Sequence, residues 1–252
     1  MKQLSRRKLL KTSGSSALAT LGVSISGLAQ PRNSSIQNKK VLVAGGHPDD
    51  PETGCGGLMA LLAKEGHQVI SCYLTRGEAG IPDTAANAAA EIRTKEAKTA
   101  CEILGATPYF LGQVDGSTEI NNEWYQKVTD YLQKEQPDVI FTHWPIDTHR
   151  DHRVCSLLIH DAWLQSGQKA ALYYYEVVSG IQTQNFSPTH YLDISSVREK
   201  KHQACFAHVS QNIEQEYFND HGKMEEFRGM EYGCAYAEAF VAHHQNSREN
   251  FL

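Results

Sequence analysis

The chain of 252 residues predicts an α/β fold, a mostly parallel sheet with helices on both faces. Three observations predict it. Short apolar runs alternate with longer amphipathic ones from residue 40 onward. The first run, Val41-Leu42-Val43-Ala44, is apolar throughout, as a strand covered on both faces must be. Glycine or proline stands where each element should stop. Strands and helices in this order build βαβ units, and such sheets bind ligands beyond the carboxyl ends of their strands.

Each element follows from its own residues. Residues 40–45 form the first strand, ended by Gly45-Gly46, and 57–65 a short amphipathic helix closed by Gly66. Residues 68–75 are the second strand. Residues 86–104 are a long helix with Ile92, Ala97, Ala100, Ile103 and Leu104 for its buried face, and Gly105 takes the C-terminal glycine position. A short strand at 108–111 precedes a helix at 123–135 that stops before Pro137. Residues 138–143 are a strand carrying Val139, Ile140 and Phe141, 153–164 a helix, and 172–177 a tyrosine-rich strand. Residues 197–209 and 223–239 are expected to be helical.

The first 29 residues stand outside this pattern. Arg6-Arg7 sits in a basic head, a weakly apolar stretch follows from Ala17 to Leu28, and Gly27-Leu28-Ala29 offers small residues for cleavage. This reads as a twin-arginine export signal, with a polar linker at 30–38 and a single domain over 39–252. The expected protein is bacterial, engages the twin-arginine translocation machinery, and is periplasmic or secreted. The apolar stretch falls short of the ~20 residues that span a bilayer, so no stable membrane insertion is expected.

Charge excludes further classes. The formal net charge is -5, and the signal carries five basic residues and no acid, so the rest of the chain stands at -10. Such a chain lacks the basic face that nucleic acid requires. Cys55, Cys72, Cys101, Cys155, Cys205 and Cys234 form no C-x-x-C pair, which argues against a thiolate zinc site. The sequence leaves room for a homo-oligomer.

Two clusters carry chemistry. Gly46-His47-Pro48-Asp49-Asp50-Pro51-Glu52 directly follows the first strand, and His149-Arg150-Asp151-His152 follows the strand ending at His143. His47 and Asp50 can aim at one point from a turn stiffened by Pro48, and His152 can complete the set. Two histidines and one aspartate with an open position make a catalytic zinc site. Asp49, between two ligands, points elsewhere and can take a proton from water. His149 can reach the same cleft to stabilise an oxyanion or protonate a leaving amine, and Asp151 can orient His149 or a ligand imidazole. His143, at its strand end, is expected behind the ligands. Either cluster alone is also explained by a polar turn.

The chain resembles the LmbE-like, or PIG-L, zinc-dependent N-deacetylases over roughly residues 39–180. Five blocks carry the resemblance: residues 46–57 (G-H-P-D-D-P-E-T-G-C-G-G), Thr75 to Gly80, Arg93-x-x-Glu96 running on to Leu104-Gly105, Phe110-Leu111-Gly112 with Asp115, and His149 to His152. It implies a Rossmann-like sheet, with His47, Asp50 and His152 as metal ligands and Asp49 as general base. It further implies that His149 is a charged imidazole on the tetrahedral intermediate and that Arg76 contacts substrate. The implied activity removes acetyl from an N-acetylglucosamine-containing substrate, with Zn2+, or alternatively Fe2+, as the ion. The chain departs from the family at Pro51, which is inserted, at Arg150, where Pro is usual, and at Asp147, where some relatives have an assisting Tyr.

Other residues have plainer readings. Arg93 and Glu96 are expected to pair along their helix, Tyr173, Tyr174 and Tyr175 to alternate between strand faces, and His243 and His244 to belong to a solvated terminus. Rival functions are an amidase acting on a larger N-acyl sugar conjugate and a non-catalytic carbohydrate-binding protein on the same fold. Retention of Asp49 and His149 beside the ligands argues against the second, since binding alone needs neither.

Overall fold

The first apolar run becomes an interior strand of a seven-stranded sheet in the computed structural model, which describes residues 38–244. The export signal, nearly all of the linker and the last eight residues lie outside the described residues.

The elements in chain order are β1 (Lys40–Gly45), α1 (Asp50–Lys64), β2 (Gln68–Tyr73), α2 (Ala86–Leu104), β3 (Thr107–Phe110), α3 (Asn122–Glu135), β4 (Val139–His143), α4 (Arg150–Gln165), β5 (Ala171–Tyr175), β6 (His190–Asp193), α5 (Arg198–Phe206), α6 (Ile213–Glu216), α7 (His221–Tyr232) and β7 (Ala237–Ala242). The sheet order is β3-β2-β1-β4-β5-β7-β6. The first five strands are parallel, and β7 joins antiparallel to both β5 and β6.

Alternation along β1 divides the core in two. Val41 and Val43 face Leu58 and Met59 of α1, with Phe141 and Tyr173 from the neighbouring strands. Leu42 and Ala44 face the other way, toward Val128 of α3 and Leu158 and Ile159 of α4. This is the expected three-layer arrangement. The chain leaves β1 toward β2 on one side and returns through β4 on the other. That reversal opens a crevice between the carboxyl ends of β1 and β4, where such sheets bind ligands.

Two expected boundaries are wrong. The first helix starts at Asp50, not at 57. Pro51 fits its opening turn, where a missing N–H costs nothing. Gly54, Gly56 and Gly57 are helix-interior and allow close packing. A Cβ at Gly54 would strike the Tyr175 ring, and one at Gly57 would strike Ile194. The final stretch is not one helix either. Helix α7 ends at Tyr232, where Gly233 turns left-handed at φ 93°, and residues 237–242 form β7. Buried Glu238 on β7 accepts the Gly57 and Leu58 N–H groups of α1 at 2.7 and 2.8 Å and pairs with Lys201 at 2.9 Å. Tertiary contacts therefore decide the state of an Ala-rich segment that propensity alone would make helical.

Five of the six cysteines are buried thiols and none is bridged; Cys234 is half-buried. No described helix is long and apolar enough to cross a membrane.

Candidate metal and active site

The two sequence clusters meet at the crevice. After β1, the Gly46 N–H donates to His143 Nε2 at 3.0 Å, tying the end of β1 to the end of β4. The chain then turns through His47, Pro48 and Asp49 into α1. On the other side of the crevice, His149 caps α4, its Nδ1 accepting the Asp151 N–H at 3.3 Å, and His152 sits in the helix's first turn.

Asp50 lies between the two ligand imidazoles. Its Oδ2 is 3.2 Å from His47 Nδ1 and its Oδ1 is 3.1 Å from His152 Nε2. All three residues are buried. The far nitrogen of each imidazole also faces a carboxylate. His47 Nε2 is 3.2 Å from Asp151 Oδ2 and 3.1 Å from Asp115 Oδ1. His152 Nδ1 is 3.3 Å from Asp147 Oδ1, in ion-pair contact without hydrogen-bond alignment. Carboxylates behind imidazoles in this way fix the tautomer of metal-ligating histidines. Asp151 therefore orients a ligand, His47, and not His149. It is held in turn by Thr118 Oγ1 at 2.6 Å and the Gly116 N–H at 2.8 Å.

Among the described residues, three overlapping groups have ligand atoms close enough to share one ion: His47, His149 and His152; Asp50, His143 and His152; and His47, Asp115 and Asp151. Hydrogen bonding discriminates among their members. His149 Nδ1 accepts a backbone N–H, so its ring proton sits on Nε2. His143 Nε2 already receives the Gly46 N–H. Asp151 and Asp115 face the nitrogen of His47 that points away from Asp50. His47 Nδ1 and His152 Nε2 each face the Asp50 carboxylate; this triad, the set expected from the sequence, draws its members from the three groups and is not itself one of them.

The electrostatics fit a divalent ion. Burial pushes the His47 pKa down, but hydrogen bonds from its ring to Asp115, Asp151 and Asp50 outweigh it and raise the pKa well above the ordinary range. His152 is raised to about 9, the Asp50 and Asp147 carboxylates overcoming burial. Against its own burial, Asp50 is held well below the usual carboxylate range by His152 and His143. Two protonated imidazoles supply the two positive charges that one dication would bring. Binding it would displace the protons facing Asp50 and leave those facing Asp151 and Asp147. The residues therefore fit a divalent ion, and the sequence's candidates His47, Asp50 and His152 are among those that could hold it.

His143 stacks on His152 with centroids 4.0 Å apart, its Nε2 is 3.3 Å from Asp50 Oδ2, and burial with the His152 charge lowers its pKa to about 4. Asp49 lines the cavity beside the ligands. Burial raises its pKa against the pull of Arg93. Burial and the His47 and His152 imidazoles lower the pKa of His149. With Nδ1 accepting the Asp151 N–H, its Nε2 is the ring nitrogen free to donate toward the cavity.

Two arginines exchange places. Arg76 is not among the residues lining the cavity, and its Nε donates to Thr94 Oγ1 at 3.1 Å. Arg93 lines the cavity and is paired with Asp49 Oδ2 at 2.7 Å. It does not pair with Glu96, whose carboxylate instead accepts the Ser210 N–H and Oγ, each at 2.7 Å.

The cavity holds about 540 Å³. Its opposite wall is Val177, Gln182, Gln211, Ile213 and His221, mostly from the part of the chain where the family blocks have faded. No sequence signal marks these residues. Asp147 was also missed as a partner of His152; its place two residues before His149 was the available signal.

Known proteins share the sequence and fold that carry this site. The family model described as PIG-L, GlcNAc-PI de-N-acetylase, matches residues 42–163. The chain is 31% identical over 189 residues to a diacetylchitobiose deacetylase of Thermococcus kodakarensis, covering 69% of this chain and 70% of that protein. It is 26% identical over 206 residues to a 4-oxalmesaconate hydratase of Pseudomonas putida, covering 74% of this chain and 80% of that one. Its fold superposes on the N,N'-diacetylchitobiose deacetylase of Pyrococcus horikoshii with a TM-score of 0.74 and 25% identity, over 89% of this chain and 92% of that structure.

Proposed function

The chain belongs to the PIG-L de-N-acetylase family, and from that premise we propose that it is a metal-dependent hydrolase removing acetyl from an N-acetylglucosamine-containing glycoside or glycoconjugate. The observation that carries this reading is a carboxylate, Asp49, facing the cavity beside a two-histidine, one-aspartate ligand set.

The ion, Zn2+ in this reading, supplies Lewis-acid polarisation of the amide carbonyl and acidifies water. The protein's own groups do the rest. Asp49 takes a proton from the water that attacks the carbonyl carbon. The His149 Nε2–H donates to the carbonyl oxygen as negative charge develops there. When the C–N bond breaks, Asp49 returns the proton to the leaving nitrogen, giving acetate and a free amine. Asp151 and Asp147 keep the ligand imidazoles in register. The twin-arginine signal completes the proposal: the enzyme folds and takes up its ion before export, then acts in the periplasm or beyond it.

The likeness to the hydratase favours a second reading, addition of water to a carbon–carbon double bond by the same acid–base set. An anionic substrate would face Asp49, Asp50 and Asp115 in the cavity, where Arg93, already paired with Asp49, is the one arginine or lysine among the described lining residues. A neutral acetamido sugar meets no such repulsion, which favours deacetylation.

Acetate release across a panel of N-acetylglucosamine glycosides tests the proposal. Wild-type protein should release it, and Asp49→Ala should lose roughly 10²–10⁴-fold in kcat, the usual worth of a general base, while keeping its metal. Hydration of an unsaturated carboxylate with no acetate release would replace this reading by the second.

A further inference from the structure

The catalytic cavity does not end at its far wall. A second cavity of about 340 Å³ opens beyond it, and the two share Gln211, Ile213 and His221. Each volume lies within the ~300–1,000 Å³ of small-molecule sites. The inner one can take an acetamido sugar and the outer one the unit linked to it.

The residues at the junction are held from behind. The Gln211 amide donates to the Gly80 carbonyl at 3.0 Å, and the neighbouring Ser210 is gripped by Glu96 of α2. The His221 ring stacks on Tyr217 with centroids 5.3 Å apart, and the Tyr217 hydroxyl donates to Glu225 Oε1 at 2.7 Å. Burial lowers the His221 pKa to about 4, with Lys201 adding to it against Asp220, so the ring is neutral at neutral pH. It brings hydrogen-bonding nitrogens and no charge to the junction.

The outer cavity adds Asn212, Glu216 and Asp220. Its polar side chains are amides, carboxylates and one imidazole, groups that pair with hydroxyl and amine hydrogens. No lysine or arginine is among its described lining residues. The Glu216 carboxylate has no hydrogen-bond or ion-pair partner among the described residues. Asp220 gives one carboxylate oxygen to the His221 N–H at the start of α7, which leaves its other oxygen for a ligand. Amides would suffice for hydroxyls alone. Two carboxylates without a counter-cation favour a positive charge, and a free amino sugar carries one when protonated.

We propose that the outer cavity is a subsite for the unit joined to the N-acetylglucosamine, and that Glu216 and Asp220 make it prefer a protonated amino sugar there. This rests on the deacetylase reading and names its substrate class: N-acetylglucosamine carried on a glucosamine-type unit, in preference to a neutral or acidic one.

The test compares disaccharides in which N-acetylglucosamine is joined to glucosamine, glucose or glucuronic acid. Each carries one acetyl group, so acetate release reports one bond. Rates are taken relative to the methyl glycoside of N-acetylglucosamine, which has no second unit. In wild-type protein kcat/KM should fall in the order glucosamine, glucose, glucuronic acid. Glucosamine should lead glucose by roughly 2–5-fold for each carboxylate that pairs, the worth of an exposed ion pair. Glu216→Gln should remove part of that lead and adding Asp220→Asn the rest, asparagine being as good a helix cap as aspartate. Equal rates for glucosamine and glucose overturn the proposal, as does a preference that survives both substitutions. Calorimetric binding of the same disaccharides to Asp49→Ala protein reads the subsite without turnover. Tighter binding of the glucosamine disaccharide, weakened by Glu216→Gln, supports it; equal or absent binding overturns it. If wild-type protein releases acetate from none of these glycosides, the deacetylase reading falls, and calorimetry still decides the subsite.

Discussion

At the scale of single residues, the site is built of histidines with a carboxylate on each side. Asp50 faces one nitrogen of His47 and of His152, and Asp151 and Asp147 face the others. Asp147→Asn or Asp151→Asn should therefore weaken metal binding by ~10–100-fold, the usual effect of losing a carboxylate behind a ligand histidine; competition against a chromophoric chelator measures it. That His47, Asp49, Asp50 and His152 meet in one cavity was legible in the sequence, because their two clusters follow β1 and β4. Arg93 was not. Helical spacing offered Glu96 as its partner three residues away, whereas its true partner, Asp49, is 44 residues away. Local spacing cannot rank a near neighbour against a distant one. The expectation for Arg76 came from the resemblance and not from spacing; its Nε turns to Thr94 Oγ1.

At the scale of elements, α1 carries Asp50 at its start and packs directly on the sheet. Its glycines make that approach possible: Gly54 meets the ring of Tyr175, whose hydroxyl donates to the Ala44 carbonyl of β1 at 3.0 Å. Propensity and packing predict opposite signs here. Gly54→Ala should gain up to ~1 kcal/mol as an isolated helix substitution but lose roughly 1–3 kcal/mol by overpacking. We expect packing to win, giving a lower Tm by calorimetry. The parallel half of the sheet was legible because strand and helix alternate locally within it. Strands β6 and β7 were not, because a short polar segment and an Ala-Glu-Ala segment become strands only by pairing with β5 and with each other.

At the scale of the whole molecule, the carboxyl ends of β1 and β4 make the crevice, and the later part of the chain closes its far wall. That later part is anchored by a buried charge network. Lys201 Nζ is 3.1 Å from Glu225 Oε1 and 2.9 Å from Glu238 Oε1. Burial pushes the Glu225 carboxyl up, but Lys201, His202, Tyr217 and Arg198 hold it far below the ordinary range. A folded-state pKa below the unfolded one stabilises above the unfolded value, about 4.3 for glutamate, and that stability is lost as pH falls further. The Tm gap between wild type and Glu225→Gln should thus be full at neutral pH and shrink below about pH 4.3; a gap independent of pH would contradict the network. Removing the catalytic ion by chelation should lower Tm, and restoring it should recover the loss, since the ion binds only the folded site.

The central claim is that one divalent ion sits between loops that follow β1 and β4. A crystal structure of the metal-loaded protein, with anomalous scattering collected across the zinc edge, tests it most directly. The account predicts one peak bonded by His47 Nδ1, Asp50 and His152 Nε2, with Asp49 and His149 unbonded to it. A peak held instead by His149, or by the other nitrogen of His47 with Asp115 and Asp151, would contradict it.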